Sequence, residues 1–209
     1  MKIALIGPAG KVGKHILKEA LDRGHYVTAI VHNTAPEIDH PNLTKKKGDI
    51  LDTDKLAGLI KGHDAVIASN NPGQEDKLAA SKSMLAAIEN AGVPRLILVG
   101  GAGTMDAMPG TFLIDTPAFP DAIKPFALPM RDLYKILKTK TAFKWTFFAP
   151  AVLFNPDGER LGNYRIQEEV ILGGPDGGPS TVSYSDYALA LINELEDPKY
   201  TGKRFTISY

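Results

Sequence analysis

Residues 134–138 read Tyr-Lys-Ile-Leu-Lys, which sets a phenol and an ammonium group four positions apart on a helical pattern. At that spacing two side chains share one helix face. A tyrosine and a lysine so placed are a proton-donating pair, suited to neutralising an alkoxide when a carbonyl is reduced. The helical wheel also offers a plainer role. Met130, Leu133 and Leu137 share one face with Tyr134 and Lys138 at its edge, so that the ring packs and the hydroxyl stays wet.

The second stretch with chemical content is Gly7-Pro-Ala-Gly-Lys-Val-Gly13, a G-x-x-G-x-x-G spacing directly after an apolar run and at the start of a helical pattern. Glycines there let the backbone turn sharply and approach a diphosphate, whose charge is met by free N–H groups and the positive end of the helix dipole. Pro8 removes one potential donor, so the other amides carry the task. The next apolar run ends Val31-His32-Asn33, without a carboxylate. A carboxylate at that point would accept from an adenosine 2′-hydroxyl, and a cation would meet a 2′-phosphate. Lys11 supplies a cation nearby, so the pattern favours NADP, with NAD tolerated by the uncharged Asn33. The plainer alternatives are a solvated Lys11 and a surface His32.

These residues need a frame to hold them. Short apolar runs at 2–7, 26–31, 43–48, 65–69 and 95–100 alternate with helical patterns at 11–24, 53–61 and 76–91. Gly24, Gly62 and Gly92 stand where each helix should end. Runs that are apolar on both faces suit a parallel sheet covered by helices on each side. The expected fold class is therefore α/β, a Rossmann-like doubly wound parallel sheet. It forms a single domain over 1–209, with a cofactor-binding core at 1–150 and a C-terminal extension at 151–209 that completes the sheet and an acceptor pocket. Five prolines between 101 and 129 predict a long loop with at most short helical turns. A helix over 130–140, a strand at 144–150, a hairpin at 164–172 turning through Gly-Gly-Pro-Asp-Gly-Gly, a helix capped near Ser185 and a last strand at 203–209 complete the reading.

Composition narrows the function classes. The 209 residues carry 24 basic and 24 acidic side chains, so no net field draws a nucleic acid or an anionic membrane to the surface. No cysteine occurs, which removes disulfides and thiolate chemistry and fits a reducing compartment. The apolar start is too short for a signal sequence, and no stretch approaches the roughly 20 apolar residues of a membrane span. A cytosolic protein is expected. The five histidines are scattered without ligand spacing, so no metal is expected either.

With GPAGKVG, TAIVHN, GDILD and LILVGGAGT in this order, the chain resembles the NmrA-like, NAD(P)-binding branch of the atypical short-chain dehydrogenases. The segments KWTFFAPAVLFNPDGERLGNYRI, VSYSDYALALINELEDP and RFTISY are similar to small bacterial proteins described as NADH-flavin reductases and often labelled epimerase-like. The resemblance implies that Gly7, Ala9, Gly10, Lys11, Val12 and Gly13 surround the pyrophosphate, beside the His32 and Asn33 that the strand end places at the adenosine ribose. Asp49 and Ile50 then lie at the adenine, and Ser69, Asn70 and Asn71 at the nicotinamide ribose. Gly100 and Gly101 end a strand where the family more often shows serine, and Pro150, Ala151 and Val152 pass near the carboxamide. A turn cap is the plainer role for Asp49, and a simple loop for Asn70 and Asn71.

The same resemblance removes Tyr134 from the chemistry. The family pattern implies a tyrosine–lysine helix further from Pro150, and a shift of roughly 8 residues at ~1.5 Å each displaces the pair on the order of 12 Å. Proton transfer needs heavy atoms within about 3 Å. The matching positions here are Ala127 and Arg131, and alanine donates no proton. The catalytic residue is left unassigned. A site of this kind suits hydride transfer to a flavin or quinone, whose reduced anion is delocalised, better than reduction of an aldehyde or ketone. The acceptor is expected to stack on the nicotinamide under the loop 101–129, with Met105, Phe112 and Phe154 as walls. The rival from another class is a non-catalytic, NmrA-like NADP-binding redox sensor. Nucleotide-sugar epimerase or dehydratase activity fits less well, because the residues after Pro150 are too few for a large substrate lobe. Glu159 and Arg160 are candidates for substrate recognition or for a mutual salt bridge.

Overall fold

A computed structural model of the chain describes residues 1–70 and 77–209. In chain order the elements are β1 (Lys2–Ile6), α1 (Lys11–Asp22), β2 (Tyr26–Val31), β3 (Leu43–Lys47), α2 (Thr53–Ile60), β4 (Ala65–Ala68), α3 (Lys77–Ala91), β5 (Arg95–Val99), β6 (Asp106–Met108), β7 (Thr111–Phe112), α4 (Lys124–Leu137), β8 (Lys144–Ala149), β9 (Leu153–Asn155), β10 (Arg165–Glu168), β11 (Thr181–Ser183), α5 (Tyr184–Glu196) and β12 (Lys203–Ser208). The chain is α/β and Rossmann-like, with mostly parallel strands and covering helices, as its sequence rhythm predicts. No helix among the described residues is long and apolar enough to cross a membrane.

Met1–Leu98 and Lys140–Trp145 form one compact unit. Its strands run in the order β5-β4-β1-β2-β3, all parallel. Every residue of Ile3–Ile6 and Ala65–Ala68 is at most 2% exposed, as expected of strands covered on both faces. At the edge, β3 presents the exposed Lys45, Lys46 and Lys47, which discourage further strand pairing. From β1 the chain builds outward to β2 on one side and to β4 on the other. The strand order therefore reverses between β1 and β4, and their carboxyl ends are where such sheets bind ligands.

Val99–Thr139 and Thr146–Tyr209 form the second unit. Here β12 lies between β8, to which it is parallel, and β10, to which it is antiparallel. Phe148 on β8 is stacked on both Tyr187 and Phe205, with ring centroids at 4.0 and 4.2 Å. The buried Tyr187 hydroxyl donates to the Phe148 carbonyl at 2.5 Å.

Two local expectations need correction, both in this second unit. Helix α4 starts at Lys124 and ends at Leu137, where the proline-rich sequence predicted a loop to 129 and a helix over 130–140. Pro125 lies in the first turn, where its missing N–H has no helical partner to lose, and Pro129 is tolerated inside. The remaining loop folds into short 3-10 turns and the small β6–β7 hairpin. The predicted hairpin at 164–172 closes only at its tip, where Gly174 N–H donates to Gly178 at 2.8 Å and Gly173 bridges Pro179. Beyond the tip, β10 pairs with β12 and β11 pairs with β9, so non-local partners displace the local one. Helix α5 is capped by Ser183, two residues before Ser185, because the Ser183 hydroxyl accepts from the Asp186 N–H at 3.0 Å.

Candidate functional site

The glycine turn joins β1 to α1 at the reversal point of the sheet. Gly7 has φ +79°, and a Cβ there would stand 2.4 Å from the Ser69 carbonyl oxygen at the end of β4. Only glycine fits such a position. A Cβ at Gly13 would meet the Gly7 carbonyl oxygen at 2.0 Å, so this glycine lets α1 pack against the turn. Gly10 differs. It is exposed, and a Cβ would meet nothing closer than the Gly7 oxygen at 3.3 Å, which leaves its outer face available for close approach by a ligand.

Gly10 is also the residue that caps α1, and it offers no side-chain acceptor to the first helical amides. No acidic residue sits in that first turn. The leading N–H groups of a helix have no partner within the helix. A diphosphate would accept from them and meet the positive dipole end without a competing carboxylate. The structure thus brings Gly7, Ala9, Gly10, Lys11, Val12 and Gly13 to one turn beside Ser69 and Asn70. Asn71 lies outside the described residues.

At the adenosine side, His32 and Asn33 follow β2 and are exposed, as is Lys11. Asp49 Oδ1 accepts from the Leu51 N–H at 2.9 Å, the plain turn role, while Oδ2 stands 3.6 Å from His32 Nε2. One oxygen thus closes the turn and the other faces the histidine. Ile50 beside it is half-buried.

In the second unit, Gly100 lies tightly against Phe147. A Cβ there would stand 2.1 Å from the Phe147 ring, whereas at Gly101 the nearest atom, in Met130, is 3.8 Å away. Ala127 is half-buried, and the Arg131 guanidinium is held by Asp115 at 2.7 Å. Pro150 and Ala151 are buried. Val152 is 44% exposed, and its N–H donates to Ser180 Oγ at 3.0 Å. Of the three expected acceptor walls, Met105 is wholly buried and belongs to the packing of this unit; a correction follows from its apolar, unbranched side chain, which the core takes up. Phe112 and Phe154 are half-exposed. Phe154 packs edge-on against Tyr184 at 4.2 Å.

Tyr134 and Lys138 do not form a proton-donating pair. Lys138 Nζ lies over the tyrosine ring, 5.2 Å from its centroid, and the hydroxyl points instead to Glu169 Oε2 at 3.4 Å. The ring is packed, as the plainer sequence expectation has it, with the residue 4% exposed. Burial pushes the phenol up to about 12, with Glu169 and Asp106 adding to the rise and the Arg204 cation opposing it. Such a phenol is a poor acid at neutral pH.

Sequence reasoning missed what Tyr134 is there for. Arg204, on β12, is one of the largest fully buried side chains and binds Asp106 at 2.9 Å and Glu169 at 2.5 Å. The available signal was an arginine inside the apolar strand Arg-Phe-Thr-Ile-Ser. Asp186 was also missed. It is fully buried and accepts from the Leu161 and Gly162 amides at 2.8 Å each and from the Tyr209 hydroxyl at 2.6 Å. These bonds fix the loop that carries Glu159 and Arg160. A cleft of about 300 Å³ lined by Tyr164, Ile166, Asn193, Tyr200 and Phe205 contains none of the residues named from sequence. Among the described residues no group of three or more His, Cys, Asp or Glu could hold a metal ion.

Comparison with known proteins places this geometry. A family model described as NAD(P)H-binding matches residues 7–198. The Bacillus subtilis protein YwnB, itself uncharacterized, is 38% identical over 99% of this chain and 98% of its own. A Bacteroides thetaiotaomicron protein provisionally named an epimerase superposes with a TM-score of 0.94 at 38% identity, covering 100% of this chain and 96% of that one. A Streptococcus pneumoniae protein provisionally named an NADH-flavin reductase gives 0.89 at 35% identity, covering 100% and 99%. With the model spanning nearly the whole chain and the uncapped glycine turn inside it, this protein belongs to the NAD(P)H-binding family.

Proposed function

We propose that the protein is an NAD(P)H-dependent oxidoreductase that reduces a flavin or quinone-like acceptor by direct hydride transfer. The observation that carries this reading is the uncapped α1 amino terminus at Gly10, framed by glycines whose Cβ atoms would collide with backbone. Its free amides would hold the diphosphate. Lys11 would meet a 2′-phosphate, which favours NADP over NAD. A bound reduced nicotinamide supplies the hydride.

The choice of acceptor rests on which residues can handle a proton. Position 100 has no room for a serine, position 127 is alanine, and Tyr134 is held near pKa 12 against Glu169. An alkoxide formed from a ketone would find no proton from these groups. A reduced flavin or quinone delocalises its charge and takes its proton from water. The same shortage argues against sugar epimerisation, which needs a base at a hydroxyl. The Streptococcus pneumoniae relative's provisional name supports the flavin reading. Phe112 and Phe154, both half-exposed, are the aromatic side chains proposed for the acceptor.

The test mixes purified protein with NADPH and FMN, riboflavin or a benzoquinone and follows loss of the reduced-nicotinamide absorbance. Turnover with any of them supports the reductase. Tight NADPH binding without turnover over the whole panel overturns it in favour of a redox sensor. Substituting Lys11→Ala should weaken NADPH binding more than NADH binding; equal weakening removes the assigned preference.

A further inference from the structure

Arg204 reaches three separate stretches of the second unit. One guanidinium nitrogen donates to the Thr104 carbonyl, and another to Asp106 Oδ1 at 2.9 Å and Glu169 Oε2 at 2.5 Å. Its cation lies 5.3 Å from the Phe112 ring centroid and 4.6 Å from that of Tyr134 on α4. The two rings meet edge-on at 6.3 Å. Backbone bonds repeat the connection, since Asp106 donates to the Glu169 carbonyl and accepts from Ile171, both at 2.8 Å. Asp106 Oδ2 accepts from Gly110 at 2.9 Å, closing the turn that delivers Thr111 and Phe112. Glu169 is held at φ 58°, a backbone conformation that non-glycine side chains rarely adopt.

This arrangement is costly for mere packing. Burying a guanidinium seldom stabilises more than an apolar side chain of the same volume would, and Arg204 Nε is buried with no hydrogen-bond partner among the described residues, while Glu169 is half exposed. What the cluster supplies is geometry. A planar fork fixes the 104–106 segment, the turn at 110 and the Phe112 ring from one rigid strand.

We propose that Arg204 is a positioning residue that sets Phe112 and the 104–112 segment for the acceptor, through its bonds to Thr104, Asp106 and Glu169 and its contact with the Phe112 ring. The proposal rests on the reductase reading for its functional half, and on hydrogen bonding alone for its structural half. Tyr134 acquires a role in it: its buried ring walls the guanidinium.

Two measurements test the proposal on the intact protein. Hydrogen–deuterium exchange, with no cofactor present, compares the wild type with Arg204→Met and Arg204→Lys. The methionine variant should speed exchange of the 104–113 amides by roughly tenfold and leave residues 1–30 unchanged, with lysine intermediate because it keeps the charge and loses the fork. Steady-state kinetics should then show the acceptor KM raised by about tenfold and the NADPH Kd, from calorimetry, within about twofold. Should Arg204→Met fail to fold, Glu169→Gln keeps the shape, removes one anion and should speed exchange in the same segment. Unchanged 104–113 exchange in the folded variants overturns the proposal. So does a rise spread evenly over the chain, or a loss of NADPH affinity as large as that of the acceptor. If the wild type turns over no acceptor, the reductase reading fails while the exchange result still decides whether Arg204 places the segment.

Discussion

A methyl group added at Gly13 and one added at Gly10 meet different obstacles, although both glycines belong to one turn. At Gly13 the obstacle is the Gly7 carbonyl oxygen at 2.0 Å, which cannot yield without moving α1. Gly13→Ala should cost about 2 kcal/mol of stability, read from urea unfolding. At Gly10 the nearest atom is 3.3 Å away and the backbone φ of −65° suits any residue. Gly10→Ala should therefore fold as the wild type does and bind NADPH about tenfold more weakly, because its methyl group occupies the ligand's approach. Equal affinities in calorimetry would remove the diphosphate from this turn. Tyr134 gives a second residue-scale test. Folding holds its phenol neutral, with the pKa pushed from 10.0 up to about 12 chiefly by burial. The stabilisation it provides is complete below pH 10 and disappears as pH rises through 12. Tyr134→Phe should lose less stability than the wild type over that window, should keep flavin or quinone turnover within about twofold, and should cost about 1 kcal/mol at neutral pH. A fall in turnover of roughly 100-fold with folding intact would restore the tyrosine as a proton donor.

At the scale of elements, α5 shows how a helix start can order a loop. The Ser183 hydroxyl caps the Asp186 amide, and the Asp186 carboxylate turns outward from the helix to hold the amides of Leu161 and Gly162. Ser183→Ala should cost about 1 kcal/mol, the ordinary value of a helix cap. Asp186→Asn should cost about 2 kcal/mol, because an amide cannot accept from both backbone donors and from the Tyr209 hydroxyl with equal strength. Its additional signature is faster exchange at Leu161 and Gly162; a variant with slow exchange there would show that the loop is held by other means. The same element shows which serine starts the helix. Both Ser183 and Ser185 precede an apolar periodic run, and it is the Ser183 hydroxyl that accepts from a first-turn amide, that of Asp186.

For the whole molecule, binding and folding are linked. A ligand taken up only by the folded chain adds about 2.7 kcal/mol at 100 times its Kd, so NADPH should raise the thermal midpoint and NADH should raise it less at equal concentration. A thermal melt without any shift by either nucleotide would contradict the assigned site. The balance of 24 acidic and 24 basic residues also predicts weak, non-specific association with nucleic acid at all salt concentrations.

The elements of the first unit were legible in the sequence. Apolar runs such as Ile3–Ile6 and Ala65–Ala68 have no polar face, so they enforce burial on both sides. Gly7, Gly10 and Gly13 directly after β1 restrict the turn to one that exposes helix amides. These are local constraints, written into neighbouring residues. In the second unit the strands β8 and β12 and helix α5 were legible too, but their partners were decided by tertiary structure. Sequence neighbours could not reveal that β10 would pair with β12 in place of a hairpin partner, or that Arg204 would meet Asp106 and Glu169. Nor could they show that Phe147 would forbid a side chain at Gly100. In each case the deciding contact joins residues far apart along the chain, and its energy comes from desolvation and shape that exist only once the chain has folded.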